Sequence, residues 1–299
     1  MAAADDIRTR VRNNLLGAYP KDRPFQTLVT EAMTDVETDM DVTDGADWSE
    51  GDIAESVETG EQLLVTVGGA SPLTVTRGFG QIAGGAISIN TLLNKNPRFS
   101  QDQIDDAVQS VLDTLGSHGI HAFGTGSETL VAGRWYYEQS ETDIDETYGI
   151  LGCYYPELIT DIPQALPFVV AGQLDTTEAV WSSSHGIKLL SKGNLATTGT
   201  FYFTYAKTIA ATTDLLVPQE EVVVLGATVA LMGMTIAPAT QDPGSRTDRT
   251  TPPGQTTRDG RWFQGEFFRA VKAEAARIAV VRQQLPGDAR SKRARRWRS

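Results

Sequence analysis

The longest stretch without a charged side chain runs from 222 to 241, and it constrains the fold more than any other feature. Pro218, Glu220 and Glu221 precede it, which is typical of the first turn of a helix. A helix that is apolar on nearly every side has to be buried. A membrane span is the alternative, but the length is marginal, polar and helix-breaking residues interrupt the stretch, and acids precede it. We therefore expect a central, buried helix in a soluble protein.

A second helical pattern lies near the C-terminus, from 261 to 284. Apolar residues recur there three or four apart, which predicts an amphipathic helix with one buried face. That face would comprise Phe263, Phe267, Val271, Ala275, Ile278 and Val281. Leu285, Pro286 and Gly287 would end the helix, and a loop rich in proline, glycine, threonine and serine, 238–257, would precede it.

The last residues, 286–299, form what we call the basic arm. It carries six basic residues and one acid, on a chain whose net charge is −12. Three interpretations stay open: a solvated terminus, DNA binding, or insertion into a protein partner. Arginine pairs with carboxylates and Trp297 would supply an apolar anchor, so we favour a protein partner. The partner-binding candidates are Arg290, Lys292, Arg293, Arg295, Arg296, Trp297 and Arg298.

Shorter helical patterns occur in the N-terminal third. Residues 5–16 predict a first helix and 25–36 a weaker second one. The buried face of the first would be formed by Ile7, Val11 and Leu15. Ser100 and Gln103 form a capping box for a third helix, which Gly116 closes. Its buried face would comprise Ile104, Val108, Val111, Leu112 and Leu115.

An acidic segment spans 31–61, where twelve acids occur without any lysine or arginine. Such a run is typical of a solvated face or loop. A calcium loop is the alternative, because aspartates at short spacing precede a glycine. The residues concerned are Asp39, Asp41, Asp44 and Gly45.

Strand patterns dominate the following region. Residues 61–67 and 73–77 are rich in β-branched residues and flank a turn at 68–72, so they predict a β-hairpin. Residues 86–89 predict a further strand. Aromatic and β-branched residues between polar and glycine turns then predict an antiparallel sandwich or barrel over 125–213.

Particular residues of the hairpin region resemble a known family. The pattern is Asp47-Trp48, Gly51-Asp52, Glu61-x-Leu63-Leu-Val-Thr-Val67 and Leu73-x-Val75-x-Arg77-Gly78. In this order it resembles the small β unit of the head-to-tail adaptor (connector) proteins of tailed bacteriophages. Where that family usually continues with Gly-Thr, a small residue, His and Gly, this chain has Phe79-Gly-Gln-Ile-Ala-Gly-Gly85. The resemblance extends, in pieces, over 47–116 and 215–299.

The resemblance implies an α+β fold: a helical core, or adaptor-like helix bundle, with a small β-hairpin unit and a larger inserted antiparallel β module, a sandwich or barrel. The expected segments are an N-terminal helical segment (1–43), the small β unit (44–98), a core helix (99–124), the β module (125–213), core helices with the loop (214–285) and the basic arm (286–299).

The resemblance also implies a function. It describes a structural virion protein that forms a dodecameric ring beneath the portal, lines the DNA channel and joins capsid to tail. The C-terminal helix and basic arm would dock into the portal protein, and a stopper or terminator protein of the neck or tail would bind next. Genomic DNA would pass through the lumen without sequence-specific binding. The protein would be located in the virion neck, away from any membrane, after assembly in the host cytoplasm.

A second function class remains open: a tail or baseplate module that recognises a carbohydrate or host surface through 125–213. Tyrosine and tryptophan build sugar-binding surfaces, although packing in a core or subunit interface is their commoner use. The candidates are Trp135, Tyr137, Tyr155 and Tyr205.

Signals for catalysis are weak. The histidines His118 and His121 lie in a glycine-flanked segment without a helical zinc motif, and Ser184 beside His185 lacks a nucleophile-elbow context. Gly124-Thr-Gly126 begins like a dinucleotide fingerprint but has no third glycine, and no P-loop occurs. We therefore expect no catalytic, cofactor or metal site, and no enzyme.

Composition adds limits on compartment and partners. Cys153 is the only cysteine, which excludes an internal disulfide and favours a role in core packing and a reducing compartment. No secretory signal pattern opens the chain. The acidic balance argues against non-specific nucleic-acid binding by the body of the protein.

Overall fold

A computed structural model describes residues 4–18, 24–137, 144, 149–155, 164–170, 174–175, 180–181, 186–190, 199–241 and 255–284. These residues form two compact units. The first unit contains 4–111 and 222–267, and the second contains 112–221 and 268–284. Each unit contains both helix and antiparallel sheet, so the chain has an α+β fold, as the sequence predicted.

The first unit contains a six-stranded antiparallel sheet. Its strands are β1 (Phe25–Leu28), β2 (Asp39–Met40), β3 (Ile53–Ser56), β4 (Gln62–Val67), β5 (Leu73–Thr76) and β6 (Leu92–Lys95). They lie in the order β1-β6-β3-β4-β5-β2. The continuations of the two edge strands meet at a bridge between Val29 and Val42, so the sheet curls towards a barrel. Its core includes Trp48, Leu63, Val65, Leu73, Val75 and Leu93.

The predicted hairpin is confirmed, because β4 pairs with β5 across the expected turn. The strand expected over 86–89 is reduced to one bridge between Ile87 and Met33. The weak helix expected over 25–36 is wrong. Phe25–Leu28 instead pairs with β6, and the side chains of Thr27 and Val29 are buried. Tertiary pairing of β-branched residues therefore outweighs a weak helical preference.

Two predicted helices are confirmed in the first unit. Helix α1 (Ala4–Ala18) buries Ile7, Val11 and Leu15 completely. Helix α2 (Gln101–Leu115) begins at the predicted capping box. Gln103 donates its backbone N–H to Ser100 Oγ at 3.3 Å, and Ser100 donates its own to Gln103 Oε1 at 3.2 Å. The α-helix ends at Leu115, directly before Gly116, as predicted. A 3₁₀ turn (Gly116–His118) follows, and Gly119 (φ 79°) adopts the left-handed conformation that ends this turn.

Helix α3 (Val217–Gln241) is the predicted buried helix. Every residue from 222 to 228 is buried, so the helix is enclosed on all sides over two turns. A Cβ added at Gly226 would lie 2.9 Å from both Phe267 and Val111, which belong to the two neighbouring helices. The central position of α3 in the helical core of the first unit is therefore confirmed. None of the described helices combines the length and hydropathy needed to cross a bilayer.

Helix α4 (Gln255–Gln284) begins six residues before the predicted start at 261. Its predicted apolar face is confirmed, since Val271 and Ile278 are buried and Phe263, Ala275 and Val281 are half-buried. The loop expected from 238 is shorter than predicted, because α3 continues to Gln241; residues 242–254 lie outside the described ranges.

The second unit contains the β module, which begins at Ala122. Its strands are β7 (Ala122–Leu130), β8 (Tyr136–Tyr137), β9 (Ile150–Tyr155), β10 (Gln164–Ala165), β11 (Phe168–Val170), β12 (Leu174–Asp175), β13 (Val180–Trp181), β14 (Ile187–Leu189) and β15 (Gly199–Lys207). They form a four-stranded sheet, β10-β9-β15-β7, a three-stranded sheet, β11-β14-β8, and the pair β12-β13. The first two sheets contribute to one hydrophobic core, as in a sandwich.

Candidate functional site

The predicted partner-binding residues of the basic arm lie outside the described residues. They are Arg290, Lys292, Arg293, Arg295, Arg296, Trp297 and Arg298. The described part of α4 ends at Gln284, a short distance along the chain from the arm. The residues of the hairpin-region pattern, 47–78, in contrast, are all described and lie in the strands of the six-stranded sheet or in the turns next to them.

Glu61 and Arg77 form a buried ion pair at the centre of this resemblance. The side chain of Glu61 is completely buried and that of Arg77 is 10 % exposed. Arg77 donates from Nη2 to Glu61 Oε2 at 2.5 Å and from Nε to Oε1 at 3.1 Å. The backbone N–H of Gly78 donates to Oε1 at 3.2 Å, and that of Gly85 donates to Oε2 at 3.3 Å. Four donors therefore satisfy the carboxylate, as burial of a charge requires.

The other residues of the resemblance form the turn before β3. Gly51 has φ 88°, a conformation that favours glycine. Asp52 accepts from the backbone N–H of Ser49 at 2.7 Å and pairs with Lys95 Nζ at 2.7 Å. The indole of Trp48 is buried in the core of the sheet. The pattern therefore corresponds to one turn, one core aromatic and one buried ion pair.

A second buried carboxylate, Glu55, joins helices to the sheet within the first unit. Its Oε1 accepts from Arg12 Nη2 of α1 at 2.8 Å, and its Oε2 accepts from the backbone N–H of Gln101 in α2 at 2.8 Å. Burial raises the pKa of Glu55, although Arg12 acts in the opposite direction. Glu55 thus fixes the start of α2 and one face of α1 against β3.

Two acids of the segment 31–61 are therefore buried and not solvated. The prediction of a solvated face is wrong for Glu55 and Glu61, because arginines distant in sequence compensate their charge. The aspartates considered for calcium make other contacts: Asp39 accepts from Thr74 Oγ1 and Asp41 from Ser71 Oγ, each at 3.2 Å. Across the described ranges, no cluster of His, Cys, Asp or Glu could hold a metal ion.

The network has little capacity for acid–base chemistry. Both oxygens of Glu61 and both oxygens of Glu55 already accept hydrogen bonds from groups fixed in the fold. A general base needs an acceptor that can reach a substrate proton. What the arrangement does is hold the sheet, its turns and the adjoining helices in one geometry.

Glu58 provides a pH-dependent link in the same unit. Its carboxylate accepts from Thr91 Oγ1 at 2.6 Å and from the N–H and Oγ of Ser88 at 2.9 and 2.8 Å. These bonds, led by that of Thr91, hold the pKa of Glu58 below its usual value of 4.5. At pH values between this lowered pKa and 4.5, the unfolded chain therefore binds more protons than the folded protein. The stability that Glu58 contributes is lost as the pH falls through its lowered pKa.

We predict that Glu58→Gln flattens the acid limb of the stability curve. The thermal midpoint of the wild-type protein should fall more steeply than that of the variant when the pH drops below about 4.5, because the variant has no proton to take up at this position. Thermal unfolding followed by circular dichroism from pH 7 to pH 3 measures this. Parallel curves for the two proteins would refute the assignment. Glu55→Gln is the control, since a raised pKa gives a contribution of opposite sign.

The remaining sequence candidates occupy structural positions. His118 lies in the 3₁₀ turn after α2. His121 lies in the short connection before β7, as expected for a loop residue, but it is buried with its ring against Phe123. His185 lies outside the described residues. Cys153 is buried in the core of the β module, as predicted, and burial raises its thiol pKa. Gly124 and Gly126 lie on β7 beneath the rings of Tyr205 and Phe203.

The aromatic candidates for sugar binding divide between core and surface. Tyr137 and Tyr205 belong to the buried core of the β module, so neither is available to a ligand. Trp135 is 46 % exposed, and Tyr155 packs partly against the core. A further pair of tyrosines, which the sequence patterns did not single out, lies on the outer face of the four-stranded sheet: Tyr202 is exposed and Tyr154 is half-buried.

One sequence signal could have found the missed tyrosines. Tyr202 and Tyr205 are separated by an odd number of positions on one strand, so they point to opposite faces of the sheet. The buried charges had a weaker signal, namely a glutamate at the start of an apolar strand.

No protein-family model matches this chain, and no curated protein matches it at a significant level.

Proposed function

We propose that this protein is a structural component of a tailed-phage virion, the head-to-tail adaptor. It assembles as a ring beneath the portal protein, surrounds the path of the DNA and binds the next protein of the neck or tail. The basic arm, 286–299, docks into the portal. The ring is located in the virion neck and assembles in the host cytoplasm.

The observation that supports this proposal most is the role of the residues that carry the family resemblance. Trp48, Gly51, Asp52, Glu61 and Arg77 are the core aromatic, the turn and the buried ions of a single sheet. A shared pattern made of fold-specifying residues is better support for a shared fold unit than a pattern of exposed residues, because each residue has a physical reason to be where it is.

The attachment of this sheet to helices supports the same proposal. Glu55 bonds to α1 through Arg12 and to α2 through Gln101, and α3 lies against both α2 and α4 at Gly226. A small β unit held on a helical core is what the resemblance implies. Charge is compatible with the role: an acidic ring would repel DNA in its channel, and the basic arm would pair with portal carboxylates.

We predict that deletion of Arg290–Ser299 abolishes attachment to the portal protein encoded by the same genome and leaves the fold unchanged. Negative-stain images of the full-length protein with that portal should show rings on the portal, and images of the truncated protein should show bare portals. Circular dichroism of both proteins checks the fold.

A matched control separates specific docking from simple charge attraction. A variant with the residues of 290–299 in scrambled order keeps the charge and the tryptophan but loses their spacing, so we expect weak, salt-sensitive attachment. Monomers that ignore the portal at every concentration would contradict the adaptor function. Rings that attach equally well without the arm would contradict the docking role alone.

A further inference from the structure

One face of the four-stranded sheet of the β module packs into the core, and part of the other face is exposed. On that outer face Thr200 and Tyr202 of β15 reach solvent, whereas Thr204 and Ala206, further along the strand, are buried. Phe201 and Phe203 of β15 and Cys153 of β9 point into the core. The alternate residues point outwards, and at these positions a single row crosses the strands: Ser127 of β7 pairs with Tyr202, which pairs with Tyr154 of β9. We propose that this outer face binds a neutral carbohydrate.

Two tyrosine rings form the centre of this surface. The rings of Tyr154 and Tyr202 are nearly parallel, at 19°, with centroids 5.7 Å apart. Tyr202 is 37 % exposed and Tyr154 is half-buried, so the pair is held by the sheet and still reaches solvent. Because the two rings stack on each other, they offer a ligand their remaining apolar faces and edges, and their hydroxyls can bond to it.

Hydroxyl groups surround the rings. Thr125, Ser127 and Thr129 of β7 and Thr200 of β15 are all exposed. The register places Thr129 opposite Thr200, next to the row that contains Tyr202. Each hydroxyl can both donate and accept a hydrogen bond, which matches the alternating donors and acceptors of a sugar ring.

The charge of the surface selects the ligand class. No charged residue occupies the outward positions of the described strands, although the chain has a net charge of −12. At these described outward positions, phosphates and acidic peptides would find no cation, and a basic segment would find no carboxylate to pair with. A neutral polyhydroxylated ligand loses nothing by this absence, and its apolar CH faces can lie on the tyrosine rings. The observations therefore favour a neutral oligosaccharide.

This inference is independent of the adaptor proposal, because it concerns only the β module. A virion protein of any position could use such a surface to touch a glycan of the cell envelope. Tyr205 belongs to the same strand as Tyr202 but points into the core.

The test is binding of defined soluble sugars to the full chain. The probes are maltohexaose, xylohexaose and chitohexaose, and the binding of each is measured by isothermal titration calorimetry. At least one should bind saturably, and Tyr202→Ala or Tyr154→Ala should weaken that binding about tenfold or more, a loss of about 1.4 kcal/mol. Tyr202→Phe should keep most of the affinity, because the ring remains. Trp135→Ala removes another exposed aromatic residue of the same unit, one that is not on the strands of this sheet, and this variant should bind like wild type.

The proposal is overturned if none of the three sugars binds, if Tyr202→Ala binds unchanged, or if Trp135→Ala loses binding equally. Sedimentation velocity of Tyr202→Ala provides another decisive result. If this variant changes its oligomeric state and the wild-type protein binds no sugar, the face is a contact between subunits and the proposal is overturned. If Tyr202→Ala fails to fold, Ser127→Arg blocks the face without removing a ring and should abolish binding.

Discussion

Replacing Glu61 with alanine should lower the free energy of unfolding by about 3–5 kcal/mol. The substitution leaves Arg77 with a side chain that is 10 % exposed and without its bidentate partner. Two backbone N–H groups, those of Gly78 and Gly85, lose their acceptor at the same time. Desolvation of a guanidinium without its carboxylate is costly, and Gly85 would keep only its carbonyl bond to Arg77. Urea denaturation followed by tryptophan fluorescence measures the loss.

A double-mutant cycle shows how much of the loss belongs to the ion pair. Removing Arg77 should lower the free energy of unfolding much less in the Glu61→Ala background than in the wild-type protein. In that background Arg77 has already lost its partner, so its removal eliminates an unpaired charge. Asp6→Ala is the matched surface control: its pair with Arg10 is 4.0 Å long and largely exposed, so the expected change is about 0.3–0.5 kcal/mol. A loss below 1 kcal/mol for Glu61→Ala would contradict the structural role of the pair.

Gly126→Ala should destabilise the β module by about 1–3 kcal/mol. A Cβ at this position would lie closer than 3.0 Å to three carbons of the Phe203 ring, which is buried in the core and cannot move aside. The same relation joins Gly124 with Tyr205, Gly186 with Tyr136, and Gly199 with Tyr155. Glycines on one strand thus leave space for the aromatic rings of the neighbouring strand. Thermal and urea unfolding measure the effect.

Two comparisons test the steric explanation. In the Phe203→Leu background, Gly126→Ala should cost clearly less than in the wild-type protein, since the smaller side chain leaves room for the methyl group. Gly265→Ala should instead stabilise by about 0.5–1 kcal/mol, because Gly265 is inside α4 and a Cβ there meets no atom within 4 Å. Equal costs for Gly126→Ala in both backgrounds would contradict the clash with Phe203.

Local patterns were sufficient for most of the helical core. The capping box of Ser100 and Gln103, the apolar stripe of α1 and the uncharged run of α3 each depend on residues within a few turns of one another. Their periodicity and end signals act before any tertiary contact forms, so they can be read directly. The hairpin of β4 and β5 was predictable for the same reason.

Other features depended on partners distant in sequence. Whether residues 25–28 form a strand depends on β6, which is more than sixty residues away. In the sequence, Glu55 and Glu61 cannot be distinguished from the solvated acids around them. Their burial is possible only because Arg12 and Arg77 pair with them in the folded protein. No local pattern encodes such a pairing.

The sequence by itself thus determined the α+β class, the buried central helix and the capped helix, because periodicity and capping are short-range properties. Only the tertiary structure decided which carboxylates are buried, which glycines lie under aromatic rings and which tyrosines reach solvent. These depend on strand register, and a shift of one residue would exchange Tyr202 with a core phenylalanine. The physical reason is that burial is a property of the assembled sheet, not of any residue within it.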